Sequence, residues 1–266
     1  LFRSGSPRSI VVFPTLESLT SQAAFAPDQK TLIAEQVNDD FIAKTQIPDF
    51  LNDPSFKDLN MRAQFIEDSG LRFLRKYQLE AVRSIQKAAA SGYKPRILNL
   101  FAYTGAATLA CAAAGAAEVV HLDAAKGMIA RARENARLSG LSDRNIRFIN
   151  DDAGKFVERE LRRGRLYDGI LMDPPAFGRG PGGELWKLEE ALYELVERCT
   201  RLLTNQPLFF LINAYATSLT PTVLANLLRL VICPQYGGTA DAAELCLPAS
   251  ARPLLLPCGA TGRWIP

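Results

Sequence analysis

Histidine occurs once in these 266 residues, as His121. Cysteine occurs five times, as Cys111, Cys199, Cys233, Cys246 and Cys258, and never as a C-x-x-C pair. An odd, widely spaced set of this kind suggests neither a disulfide framework nor a zinc site, and a reducing compartment fits it. No apolar run approaches the roughly 20 residues of a membrane helix, so a soluble protein is expected. The chain also lacks G-x-x-x-x-G-K-[ST], which excludes a P-loop. Its candidate ligand turn reads Y-T-G-A-A-T-L-A rather than G-x-G-x-x-G, which disfavours NAD and a nicotinamide oxidoreductase. Neither charge sign dominates: 31 Lys and Arg stand against 28 Asp and Glu, a balance that neither demands nor excludes a nucleic-acid partner. There is no internal repeat and no long low-complexity tract.

With 48% hydrophobic and 22% charged residues, the chain is long enough for one large core, with or without an appendage. It begins with Leu1 rather than Met, as a chain whose first residues are processed or missing would. Residues 1–30 are rich in Ser and Thr and carry only Glu17 and Asp28 as acids. They read as a loosely docked tail, or as the remnant of an organellar transit segment. The expected location is accordingly the cytoplasm, or an organelle matrix or stroma if the second reading holds.

From Lys94 onward, short apolar runs alternate with longer amphipathic ones. The predicted strands are 96–103, 118–124, 145–150, 167–173 and 208–213, followed by two closing strands within 243–264 that suggest a hairpin. A helix follows each of the first five strands. The helix after the second strand turns Met128, Ala132, Ala136 and Leu138 inward and ends at Gly140. That after the fourth carries Leu185, Leu188, Leu192, Val196, Cys199 and Leu203. Thr220-Pro221 has the form of a cap and first-turn proline. This order implies a doubly wound parallel sheet covered on both faces. Residues 1–93, with a helix ending at Gly92, read as an N-terminal extension of a main domain at 94–266.

In such a sheet, ligands bind beyond the carboxyl ends of the strands, where strand order reverses. Gly105 stands at the first of these ends, where a ligand can approach the backbone without meeting a side chain. Asp123, eighteen residues later, is placed to accept from both hydroxyls of a ribose, and Asp152 from an exocyclic amine of a base. Each is also an ordinary turn or cap residue. Three of them in register on successive strands point to a nucleoside cofactor.

Between Lys126 and Arg165, basic residues outnumber acidic ones by eleven to six. Arg131, Arg133, Arg137, Arg159, Arg162, Arg163 and Arg165 fall at helix-like spacings, and read either as solvated helix faces or as phosphate contacts.

The runs "ILNLFAYTGAATLACAAAGAAEVVHLDAAKGMIARARENARLSGL", "INDDAGKFVERE" and "YDGILMDPPAFGRG" resemble the S-adenosylmethionine-dependent class I methyltransferases related to the bacterial 23S ribosomal RNA (cytosine-C5 and guanine-N7) enzymes. The resemblance covers roughly residues 95–265. It implies a Rossmann-like, seven-stranded, mostly parallel sheet with an antiparallel last strand. It also implies that Phe101, Tyr103 and Gly105 line the methionine end of the cofactor, that Asp123 holds the ribose and Asp152 the adenine amine, and that Asp173-Pro174-Pro175 faces the sulfonium methyl. The Asp-Gln-Arg stretch of those relatives is not matched upstream of the first strand, where "FLRKYQLEAV" offers only Gln78. No separate RNA-binding domain is matched in residues 1–93 either.

Methyl transfer is an in-line displacement, so holding the nucleophile near the methyl supplies much of the acceleration. Asp173 and the Pro174 carbonyl can bind the edge of a nucleobase while Phe177 or Tyr103 stacks on its ring. The prolines fix the local backbone and remove amide donors. Methylation at pyrimidine C5 needs a cysteine that adds to C6; the relatives carry it after the fifth strand, where this chain has Asn213-Ala214-Tyr215-Ala216-Thr217. The residues therefore speak for a ring or amine nitrogen, with His121 as a core residue and Arg179 as a possible phosphate contact. The expected function is methylation of a nucleobase nitrogen in RNA, ribosomal by resemblance. A protein or small metabolite acceptor stays open, as does a catalytically silent RNA-binding or assembly protein that retains the cofactor pocket.

Overall fold

The computed structural model describes residues 53–62, 64–65, 76–180, 182–183, 185–215, 219–248 and 255–266. The expectations for residues 1–30 lie outside these. Two helices precede the sheet, α1 (Pro54–Lys57) and α2 (Lys76–Ala90). The sheet then begins with β1 (Arg96–Leu100), α3 (Ala106–Ala113), β2 (Glu118–Asp123), α4 (Lys126–Leu138), β3 (Ile146–Asn150), α5 (Ala153–Arg162) and β4 (Gly169–Met172). A small hairpin, β5 (Phe177–Arg179) with β6 (Leu185–Lys187), leads into α6 (Leu188–Thr200). The chain closes with β7 (Phe209–Ala214), α7 (Pro221–Val231), α8 (Cys233–Tyr236), β8 (Thr239–Pro248) and β9 (Leu255–Ile265).

Seven strands form one sheet in the order β3-β2-β1-β4-β7-β9-β8. The first five are mutually parallel, and β9 runs antiparallel to both β7 and β8. The expected architecture, with an antiparallel last strand brought in by a closing hairpin, is thus present. Strand order reverses between β1 and β4. Right-handed crossovers therefore lay α3 and α4 on one face and α5, α6 and α7 on the other. Each face has its own core. One gathers Leu98, Val120, Phe156, Val196, Phe210 and Trp264, and the other Ile85, Ile97, Cys111, Val119 and Phe209. Alternate residues of the same strands supply the two, as the period of a strand buried on both sides requires. No helix among the described residues is long and apolar enough to cross a membrane.

Some boundaries differ from the sequence reading. In α4 the buried stripe is Ile129, Ala132 and Ala136, whereas Leu138 is exposed at the helix end just before Gly140, whose φ is +66°. Leu185 is an exposed residue of β6, and the following helix starts only at Leu188. Leu203 is buried, but beyond α6, where it bridges to Tyr167. Thr220 precedes α7 with extended backbone but makes no side-chain cap.

The amino ends of the strands carry a polar cluster of their own. Glu118 accepts from Arg96 Nε at 3.0 Å, Arg147 Nη1 at 3.1 Å and Arg165 Nη2 at 3.1 Å. Burial pushes its carboxyl up, but the hydrogen bond from Arg147 and the charges of Arg96 and Arg165 outweigh that and hold it below the usual range. Beside it Asp168 accepts from the Tyr93 hydroxyl, the Arg96 amide and the Thr204 hydroxyl, and buried Glu160 accepts from the Tyr167 hydroxyl at 2.6 Å.

Candidate active site

The carboxyl ends of β1 and β4 open on a crevice at the point where strand order reverses. Two cavities meet there, of about 510 and 480 Å³, and Phe101, Tyr103 and Asp173 line both. The larger extends under α2 and the start of α3, past Gln78, Thr104, Gly105, Ala106 and Asn213. The smaller is bounded by Asp123, Met128, Asp152, Arg179, Trp186 and Tyr215. Their size is that of a small-molecule or cofactor cleft.

The loop after β1 is strained and tightly anchored. Phe101 and Tyr103 have φ of 54° and 48°, in the left-handed region that residues other than glycine rarely occupy. Such a conformation persists where the surroundings over-determine it. The Ala102 amide donates to the Leu122 carbonyl at 3.0 Å, the Tyr103 amide to Asp123 Oδ2 at 2.8 Å, and Asn135 Nδ2 to the Thr104 carbonyl at 2.8 Å. Gly105 follows at φ +93°, and a Cβ there would stand 3.2 Å from Ala132 Cβ and 3.5 Å from His121 Cε1. The positive φ is what favours glycine here, and the packing of α4 against the turn adds to it.

Asp123 accepts one backbone amide on each oxygen, from Tyr103 and from Ala125 at 2.8 Å. Each oxygen keeps acceptor capacity for a ligand hydroxyl. Asp152 is the N-cap of α5, with Oδ1 accepting from the Lys155 amide at 2.9 Å, so capping engages one of its oxygens. Asp151 instead pairs with Arg159.

Among the described residues, the Asp173 carboxylate makes no hydrogen bond, and neither does the Pro174 carbonyl. The next two carbonyls are occupied: Pro175 accepts from Trp186 Nε1 at 2.7 Å and Ala176 from the Leu188 amide at 3.1 Å. Asp173 reaches solvent at the cleft mouth, yet protein packs around much of its carboxyl, and that desolvation raises its pKa to about 6. Two exposed rings line the cleft with it, Tyr103 at 64% and Tyr215 at 51%, while Phe177, exposed at 64%, lines neither cavity.

His121 lies under the loop, fully buried, with Nδ1 2.9 Å from Thr108 Oγ1. Thr108 Oγ1 also accepts from Asn99 Nδ2 at 2.9 Å, so the buried imidazole belongs to a local hydrogen-bonded chain. Burial lowers its pKa to about 4. Cys111 lines the larger cavity, but burial pushes its thiol up to about 12, which removes it as a thiolate nucleophile.

Several arginines of the basic stretch from Lys126 to Arg165 are engaged within the chain. Arg147 and Arg165 serve Glu118 at the opposite end of the sheet, Arg137 pairs with Glu134, Arg159 with Asp151 and Arg163 with Glu160, while Arg133 stacks over Phe148. Arg179 does reach the smaller cavity, and its Nη1 bonds the Gly183 carbonyl at 3.4 Å. The residue that the sequence reading missed is Trp186. It lies in a three-residue strand whose only signal was a tryptophan shortly after a glycine-rich turn.

The sequence model of a family described as S-adenosylmethionine-dependent methyltransferase matches residues 6–216. The chain belongs to this family. It is 39% identical over 82 residues to ribosomal RNA large subunit methyltransferase I of Aeromonas salmonicida, which covers 31% of this chain and 21% of that protein. It is 26% identical over 129 residues to ribosomal RNA large subunit methyltransferase K of Neisseria meningitidis serogroup B, covering 48% and 36%. The matched segments are thus about a fifth to a third of those curated relatives. A S-adenosylmethionine-dependent methyltransferase from Agrobacterium tumefaciens superposes with a TM-score of 0.63 at 38% identity, covering 69% of this chain and 59% of that one. One from Streptococcus mutans, at 19% identity and a TM-score of 0.53 over 72% and 48%, shares the fold.

Proposed function

We propose that this chain transfers a methyl group from S-adenosylmethionine to a nucleobase nitrogen in RNA. The family membership supports the cofactor, and the cleft is built to fit it: a glycine cradle at Gly105, acceptor capacity on Asp123 and Asp152, and a wall of Phe101 and Tyr103. Phe101, Tyr103 and Gly105 would hold the methionine end, Asp123 the ribose and Asp152 the adenine amine. The cofactor, when bound, supplies a methyl activated by a positively charged sulfur.

The observation that carries the choice of acceptor is the unoccupied carboxylate of Asp173, on the wall common to both cavities; Pro174, whose carbonyl is also unoccupied, is buried and lines neither cavity. A carboxylate with free acceptor capacity suits a nitrogen that presents hydrogens, and orienting it is the contribution this chain's residues make to the displacement. Tyr103 and Tyr215 offer stacking surfaces for a base outside a duplex, worth roughly 1–3 kcal/mol per stacked base. The ribosomal RNA methyltransferases among the relatives support RNA as the carrier of that base. The arginines of 126–165 do not contribute to this reading.

A second reading, a small aromatic acceptor, is favoured by the larger cavity, whose walls include seven alanines, Val82, Leu171 and Leu211. One experiment separates the two. Labelled S-adenosylmethionine is incubated with fractionated RNA, protein and metabolites, at low and high salt. Label in RNA, falling with salt and absent with Asp173→Ala, is the expected result. Label confined to metabolites and indifferent to salt would replace it with the second reading.

A further inference from the structure

The β5–β6 hairpin folds Trp186 back onto the cleft, where it makes two contacts that join opposite walls. Its indole N–H donates to the Pro175 carbonyl at 2.7 Å, and its ring lies against Phe101 with centroids 5.0 Å apart at 49°. Pro175 follows the loop that carries Asp173, while Phe101 belongs to the strained turn after β1. The same indole lines the smaller cavity together with Asp123 and Asp152. The hairpin itself is short, with only the pairs Phe177↔Lys187, Gly178↔Trp186 and Arg179↔Leu185. A two-stranded hairpin of this length is marginal alone, so its placement rests on what Trp186 grips.

We propose that Trp186 is a positioning residue of the cofactor cleft, fixing the Asp173-Pro174-Pro175 loop against the Phe101 wall and contributing its own ring to the bound nucleoside's surroundings. It occupies the Pro175 carbonyl beside the smaller cavity and thereby leaves Asp173 as the unoccupied acceptor on that wall. The assignment stands on the cofactor site alone and is independent of whether the methyl acceptor is RNA.

The chain has two tryptophans, which makes the proposal directly readable. Trp264 is fully buried, pairs with Phe210 at the amino end of β7 and donates to the Gly237 carbonyl, at the end of the sheet away from the cleft. In the full chain, titration with S-adenosylhomocysteine is followed both by tryptophan emission and by calorimetry. The unaltered protein is expected to show an emission change that saturates with the calorimetric binding curve. Trp186→Phe keeps a ring against Phe101 and loses the donor; it is expected to bind about threefold more weakly and to lose the emission change. Trp186→Ala, losing both contacts, is expected to bind at least about tenfold more weakly, equivalent to about 1.4 kcal/mol. A purely structural tryptophan would not report ligand. An emission change that survives in Trp186→Phe, or unchanged affinity in Trp186→Ala, overturns the assignment. If Trp186→Ala does not fold, the Trp186→Phe titration decides it.

Discussion

Protonating Asp173 is expected to switch off methyl transfer, and the acid limb of the rate profile measures this residue directly. Desolvation raises its pKa to about 6, so the neutral acid predominates below that value and the carboxylate above it. The ionised fraction falls from about 0.9 at pH 7 to about 0.1 at pH 5, which is a rate loss of about tenfold over two pH units. Chemically, protonation replaces an acceptor lone pair with a donor, so a nitrogen that presents hydrogens loses its partner. The assay is the initial rate of label transfer at saturating cofactor and acceptor, so that binding does not mask the chemical step. Asp173→Asn keeps one acceptor oxygen and cannot titrate. It is expected to lose roughly ten- to a hundredfold in rate, the worth of a charge-assisted hydrogen bond of about 1.5–3 kcal/mol, and to show a flat profile between pH 5 and pH 7. An acid limb at the ordinary aspartate value, or the same limb in Asp173→Asn, would refute the reasoning.

Three other perturbations test the frame that holds the site. Gly105→Ala forces a side chain to φ +93° with its Cβ 3.2 Å from Ala132 Cβ; a loss of about 1–2 kcal/mol in urea unfolding, with weaker S-adenosylhomocysteine binding by calorimetry, is expected. In the sheet core, a Cβ at Gly169 would lie 2.6 Å from Phe209 Cζ and 2.9 Å from Ile97 Cδ1, so Gly169→Ala is expected to cost about 1–3 kcal/mol by the same measurement without a selective effect on the cleft. His121 is buried and neutral, with its pKa lowered to about 4 by burial. The unfolded chain therefore takes up its proton first as pH falls below about 6.5, and the stability held above that pH is lost on the way to pH 4, by about 3 kcal/mol. His121→Gln should flatten that part of the stability curve; an unchanged slope would show that other groups carry it.

The parallel strands and their ends were legible because each is a short apolar run followed by a turn residue, and because a parallel sheet buries both faces, so that burial appears as continuity rather than alternation. Gly105, Asp123, Asp152 and Asp173 could be picked out for the same reason: the topology brings every strand end to one edge. What stayed hidden was set by partners distant in sequence. The stretch from Leu185 fits a helical period, yet it starts as a strand because Trp186 finds Pro175 and Phe101. Leu138 fits the apolar stripe of α4 but falls past the last turn that touches the sheet, where Ile129 and Ala132 do the packing. Nor could the sequence tell that Asp152 would spend one oxygen on capping α5, or that both oxygens of Asp123 would hold backbone.

The arginines show the same limit from the opposite side, and they bear on function. A basic excess along 126–165 is what a phosphate-binding face would display, but Arg147 and Arg165 converge on Glu118 at the amino ends of the strands. A buried carboxylate with three guanidinium partners is costly to break from one side, by about 3–5 kcal/mol, so these charges are tied to the fold. The cleft lies at the other end of the same strands. Recognition of the acceptor therefore has to be supplied there, by Tyr103, Tyr215 and Asp173, with Arg179 as the cation among the cleft-lining residues. A site with two exposed rings and one arginine grips a base by its face and edge more than by its phosphate. RNA binding by this chain alone should accordingly have a shallower salt dependence than its arginine content suggests, with the loss on Tyr103→Ala exceeding that on Arg137→Ala.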